Sequence, residues 1–146
     1  MRFARYERQV YYYETDQMAI VHHANYIRWF EEARIDAMEK AGIRYGALEA
    51  RGLLIPVLSV SCEYKKSVRF GERVVILSNL YDFESTRGVR FAVRYKIEGE
   101  DGTLRAAGES RHCFVDRQMR VARIKRDYPD VYAAFAAMES ALREEA

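Results

Sequence analysis

The sequence predicts an α+β fold: a long helix wrapped by a curved antiparallel sheet of about five strands, with a second helix at the C-terminus. Three observations carry that expectation. Apolar residues recur at helical spacing over residues 25–41 and again over 129–142. Between them, after Gly52, the period changes from 3.6 to 2. Four strand-like stretches then follow one another through short turns, as in an antiparallel sheet with its helices on one side. The 146 residues are read as one domain, 1–146, long enough to bury a substantial core.

Each element has a local reason. Phe3–Tyr13 ends in aromatic and β-branched residues, as a strand does. Glu14-Thr15-Asp16-Gln17 is a polar break. Asn25 is a favoured N-cap type, and Tyr26, Phe30, Ala33, Ala37 and Ala41 form one stripe, with Trp29 and Met38 at its margins. Gly42 is placed to end that helix in a left-handed conformation. A short helical turn is expected at Tyr45–Ala50. Leu53–Val68 reads as a long strand in which Pro56 marks a start, an edge or a bulge. Arg73–Glu84 is the next strand, and Ser85-Thr86-Arg87-Gly88 a turn. Val89, Phe91, Val93, Tyr95 and Ile97 alternate with polar or small residues, the pattern of a half-buried strand. Asp101-Gly102 is a hairpin signal leading to Leu104–Asp116. Pro129 suits a first helical position, and Val131, Phe135, Met138 and Leu142 supply the last stripe.

Composition narrows the class. With 49% hydrophobic and 32% charged residues the chain reads as ordered and globular. The opening residues lack the apolar core of a secretory leader, and no stretch has the length of a membrane span. A net charge of +2 does not argue for nucleic acid. Only five of the 24 basic residues are Lys; Arg suits phosphate and carboxylate recognition, and Arg-rich chains also reflect genome composition. Two cysteines, Cys62 and Cys113, make no disulfide framework and read as buried thiols of a reducing cytoplasm.

One segment concentrates chemistry. Asp16 lies in the break between the first strand and the long helix, and His22 and His23 lie just before that helix. A helix N-terminus offers unpaired N–H groups and partial positive charge, which stabilise a developing oxyanion. A carboxylate beside it can serve as base or nucleophile. The alternative is that Asp16 satisfies loop N–H groups and the histidines are surface residues. A metal site is disfavoured, since adjacent histidines do not readily share one ion and no further ligands stand at recognisable spacing.

The run from Tyr12 to Tyr26, continuing through Trp29-Phe30-Glu31-Glu32-Ala33-Arg34, resembles the signature of hotdog-fold thioesterases, in the YbgC-like branch of the 4-hydroxybenzoyl-CoA thioesterase superfamily. Weaker similarity continues through Ile55-Pro56-Val57, Tyr64-Lys65-Lys66 and Arg111–Asp116. The resemblance implies hydrolysis of an acyl-CoA, with Asp16 as base or nucleophile, His23 and Tyr12 as its partners, and the backbone N–H near His23 polarising the thioester carbonyl. It implies no metal or other cofactor. It also implies a homo-oligomer joined edge to edge, commonly a dimer of dimers, with the site at the subunit boundary. The family has Gly where this chain has Ala19, and Pro where it has Ser67. Ala19 implies a loop that avoids positive φ or accepts strain.

Arg87, Arg90, Lys65, Lys66 and Arg69 are candidate contacts for the phosphates of CoA, against the plain reading of solvated strand ends. Alternation places Tyr11 and Tyr13 on one face and Tyr12 on the other. His112 reads as structural, and Trp29 and Phe30 as core. The rival functions are a hydroxyacyl-thioester dehydratase, a non-catalytic acyl-CoA-binding module, and a thioesterase acting on acyl carrier protein.

Overall fold

A computed structural model describes residues 1–143. Its elements are β1 (Ala4–Gln9), α1 (Ala24–Lys40), α2 (Tyr45–Ala50), β2 (Val57–Tyr64), β3 (Arg73–Tyr81), β4 (Arg90–Gly99), β5 (Leu104–Cys113), α3 (Ile124–Asp127) and α4 (Pro129–Arg143). The five strands form one antiparallel sheet in the order β1-β3-β4-β5-β2. Register shifts between Val57 and Ser59 and between Ile97 and Glu98 bend it. The long helix lies in the curve, as expected of a hotdog fold. Among the described residues no helix is long and apolar enough to cross a membrane.

The packing of α1 explains the alternation in β4. Phe91, Val93, Tyr95 and Ile97 are buried, and Phe30 of α1 stacks on Tyr95 with ring centroids 4.3 Å apart. Gly108, opposite Tyr95 in β5, permits this approach: a Cβ there would collide with the Ser61 carbonyl and stand 2.8 Å from Phe30. A second cluster of Phe83, Phe91, Phe114 and Phe135 seats α4 against the sheet.

Several expectations are corrected. Trp29 and Met38 are not marginal; both are wholly buried, whereas Ala41 is exposed. The sheet curves around α1, so the covered face is wider than one stripe. Asn25 is not the N-cap. His23 occupies that position, and Asn25 is buried with its side-chain amide on the Glu14 carbonyl at 2.8 Å. The first strand ends at Gln9, because a buried Arg8–Glu14 ion pair (2.6 Å) turns the chain into a single helical turn at Tyr12–Glu14. The strand expected over Leu53–Val68 is only Val57–Tyr64, beginning after Pro56 at the sheet edge. The neighbouring strands likewise stop at Tyr81 and Cys113. Val89 lies outside β4 and is exposed. Short α3 was not foreseen. Both cysteines are free but only half-buried.

The polar break after β1, the terminus of α1 and the end of β2 converge at one edge of the molecule.

Candidate active site

Asp16 opens a tight hairpin. Its Oδ1 accepts the Met18 N–H at 2.8 Å, its own N–H bonds the Ile20 carbonyl at 2.9 Å, and its carbonyl accepts the Ala19 N–H at 3.0 Å. A Thr15–Val21 bridge closes the hairpin. Ala19 takes φ +63°, so the loop accepts the strain that glycine would avoid. The loop-capping reading of Asp16 is therefore correct as far as Oδ1 goes. Among the described residues its second oxygen has no partner.

The same hairpin occurs again at Asp116. There Oδ1 accepts the Gln118 N–H at 2.8 Å, the Asp116 N–H bonds Arg120 at 2.8 Å, and the Met119 N–H bonds Asp116 at 2.9 Å. Met119 has φ +62°, and Val115 bridges Val121. Local shape thus does not distinguish Asp16; its surroundings do.

Those surroundings are a cleft of about 260 Å³ lined by Asp16, Met18, Ile20, His23, Tyr26 and Tyr64, with Lys65, Lys66 and Ser67 at its rim. His22 and His23 stack at 4.2 Å, both exposed. The His22 Nδ1 accepts the Ala24 N–H at 3.1 Å, which makes His22 a cap of the helix start. Among the described residues the His23 N–H has no acceptor, and it lies at the positive end of α1. Tyr64 donates its hydroxyl to the His23 carbonyl at 3.0 Å. Partial burial and the neighbouring Cys62 push the Tyr64 hydroxyl up to about 12, so it remains a donor at neutral pH. Burial also raises Cys62, which stays a thiol. No group of three or more His, Cys, Asp or Glu among the described residues could hold a metal ion. A larger groove, about 710 Å³, lies over Tyr81 and Arg94 and contains no histidine.

The other sequence-nominated residues divide. Lys65 and Lys66 rim the cleft, although Lys65 is also paired to Glu63 at 2.8 Å. Arg69 lies in the loop beyond, its N–H on Glu72 at 2.6 Å, and does not line the cleft. Tyr12 is exposed and rests edge-on against Phe70 at 5.5 Å, and does not line the cleft. Arg87, at φ +56°, borders a separate groove with Val121 and Ile124. Arg90 starts β4 opposite Cys113. Tyr64 pairs with Ala106, and Ala106 with Ile97, so Arg90 stands seven residues along β4 from the cleft's level, roughly 20 Å or more.

Sequence reasoning missed Tyr64 and Glu14. Tyr64 had a signal: Cys62 and Tyr64 alternate onto the face that meets Tyr26. Glu14 had none, because its partners Arg8 and Trp29 are brought to it by burial.

The family model described as "Thioesterase-like superfamily" matches residues 10–144 of this chain. The chain belongs to the Thioesterase-like superfamily. Within it, YneP of Bacillus subtilis, provisionally assigned as an acyl-CoA thioesterase, is 32% identical over 136 residues, covering 92% of this chain and 96% of YneP. The acyl-CoA thioester hydrolase YbgC of Escherichia coli O157:H7 is 27% identical over 100 residues, 68% of this chain and 72% of YbgC. Among solved structures, a DHNA-CoA thioesterase from Staphylococcus aureus superposes with a TM-score of 0.89 at 29% identity, covering 96% of this chain and 93% of that one. Thioesterase-like superfamily membership thus agrees with the fold.

Proposed function

We propose that residues 1–146 form one hotdog thioesterase domain that hydrolyses an acyl-CoA in the cytoplasm to a carboxylate and free CoA. One observation carries the reading: Asp16, with one carboxylate oxygen without a partner among the described residues, and His23, whose N–H likewise has none, line the same cleft at the positive end of α1. The thioester carbonyl oxygen would accept the His23 N–H, polarising its carbon. Asp16 would take a proton from water as the water oxygen bonds to that carbon, or bond to the carbon itself. The oxyanion is stabilised by the helix terminus, collapses, and expels the CoA sulfur as the C–S bond breaks. In the first route the proton taken by Asp16 passes to that sulfur. In the second a water hydrolyses the acyl–Asp16 anhydride, freeing the carboxylate product and Asp16, with the water's protons going to the sulfur and to solvent. The His23 ring at the cleft mouth would orient the thioester. Tyr12, which does not line the cleft, would support Asp16 from outside it.

The phosphates require more than this chain offers at the cleft. Lys65 and Lys66 rim the cleft; Arg87 and Arg90 are at the far end of the sheet. β2 is an edge strand with Val57, Leu58, Val60 and Tyr64 exposed, an edge that pairs readily with another strand. Antiparallel pairing with β2 of a second copy would bring that copy's Arg87–Arg90 end to the same end of the joined sheet as Tyr64–Lys66, three strand spacings across. We therefore propose a homo-oligomer whose site takes basic residues from both copies. Val60→Lys would then lower the mass seen by light scattering and weaken acyl-CoA binding.

The activity is tested by thiol release from short, medium, long and aromatic acyl-CoAs. The Asp116 hairpin supplies an internal control. Asp16→Asn should lower turnover about 100-fold or more, while Asp116→Asn, which makes the same turn, should leave it unchanged. Absence of thiol release from every ester by the folded oligomer would refute the acyl-CoA reading.

A further inference from the structure

Glu14 is a buried carboxylate two residues from Asp16 that the chemistry above does not use. Its Oε1 accepts the Tyr11 N–H at 2.9 Å. Its Oε2 accepts Arg8 Nη1 at 2.6 Å and the Trp29 indole N–H at 2.8 Å. Its carbonyl accepts the His22 N–H at 2.8 Å and the Asn25 side-chain amide at 2.8 Å. One residue therefore joins β1, the turn before Asp16, the residue before His23, and the first two turns of α1. The Arg8 guanidinium also lies over the Trp29 ring, 4.9 Å from its centroid, and reaches Glu32 at 3.3 Å.

We propose that Glu14 is a positioning residue for the Asp16 site, a clamp that fixes Asp16 against the N-terminus of α1. The proposal rests on the assignment of Asp16 under Proposed function. The loop it serves, 15–22, is closed within itself only by the Thr15–Val21 bridge and the short hairpin, which fix its internal shape but not its place on the helix. Its place is set on one side by the Val21 N–H on the Val68 carbonyl at 2.8 Å, and against the helix by the Glu14 carbonyl holding His22 and Asn25 and the Glu14 carboxylate holding Trp29. A buried ion pair is a poor way to gain stability, since an apolar pair of similar volume does as well. It is a good way to fix geometry, because a fully satisfied carboxylate admits few alternative arrangements. Displacement of Asp16 by about 1 Å is enough to cost turnover heavily.

The test uses the full-length protein with the acyl-CoA it cleaves best. Glu14→Gln keeps the shape and loses the charge. Trp29→Phe removes one donor to Glu14, and serves where Glu14→Gln fails to fold. Each is made alone and with Asp16→Asn, and kcat, KM and thermal midpoint are read. The clamp predicts a kcat lowered about 10-fold or more with KM within about threefold, and no further loss in the Asp16→Asn background, as for residues acting through one another. A merely structural role lowers the thermal midpoint and leaves kcat per folded enzyme intact, which overturns the clamp. So does an equal loss with and without Asp16→Asn. A fully active Asp16→Asn enzyme overturns the site assignment itself; an inactive Asp16→Asn enzyme beside fully active clamp variants overturns only the clamp.

Discussion

Tyr64 holds the His23 carbonyl at 3.0 Å, tying the last residue of the edge strand to the residue at the N-cap position of α1. The bond joins two residues that line the cleft, and so couples the end of the strand to the start of the helix. Tyr64→Phe keeps the ring against Tyr26 and removes the bond, together with the hydroxyl's interaction with Cys62. It should lower kcat severalfold and cost about 1 kcal/mol of stability, as loss of one hydrogen bond does. Steady-state kinetics and urea unfolding would check both; an unchanged kcat would exclude Tyr64 from the site.

Ala19 holds φ +63° in the loop that carries Asp16. Ala19→Gly relieves that strain and adds freedom to the unfolded chain, with a net gain of about 0.5–1 kcal/mol. The urea midpoint should rise and turnover should change little. A fall in the midpoint would show that the methyl group is useful where it stands.

Gly108→Ala should be among the more damaging single-methyl additions. The new Cβ meets a backbone carbonyl, that of Ser61, as well as the Phe30 ring at 2.8 Å. Neither the β2–β5 pairing nor the seat of α1 can yield without disturbing the other. A loss of about 1–3 kcal/mol is expected in thermal or urea unfolding.

His112 is wholly buried, its Nε2 2.7 Å from Ser110 Oγ, which is itself 2.6 Å from the Tyr95 hydroxyl. Burial, with the Arg34 charge nearby, pushes its pKa down from 6.5 to about 3. The folded state thus refuses a proton that the unfolded state accepts. Stability on this account is intact above pH 6.5 and falls as the pH drops towards 3, by at most about 1.4 kcal/mol per pH unit. Unfolding measured between pH 6.5 and 5 should show this slope, and His112→Gln should flatten it.

Much of this architecture is legible in the sequence because one face of an element is buried and the other is not. Phe91, Val93, Tyr95 and Ile97 announce β4, and Tyr26, Phe30, Ala33 and Ala37 announce α1, for that reason. Where burial is wider than one face, or where long-range pairs decide, the signal fails. Trp29 is central because the sheet wraps past the stripe. The chain turns at Tyr12 because Arg8 and Glu14 meet, not because of any local propensity. Even so, Tyr11 and Tyr13 stack at 5.8 Å while Tyr12 turns to Phe70, so the expected division holds for a reason other than strand alternation. Asp16 and His23 are brought together through a short segment, which spacing can show. Arg87 and Arg90 are separated from them by the length of β4, which spacing does not show.

The paired hairpins at Asp16 and Asp116 make backbone conformation and chemical role separable quantities. Exchanging residues 16–20 with 116–120 would move side chains between two seats of equal shape. The aspartate left beside α1 would still be an aspartate on the same turn, whichever segment supplied it. Reactivity in this fold would then follow the address of the turn, beside a helix end and an edge strand, and evolution could alter the four residues after Asp16 with the carboxylate held in register.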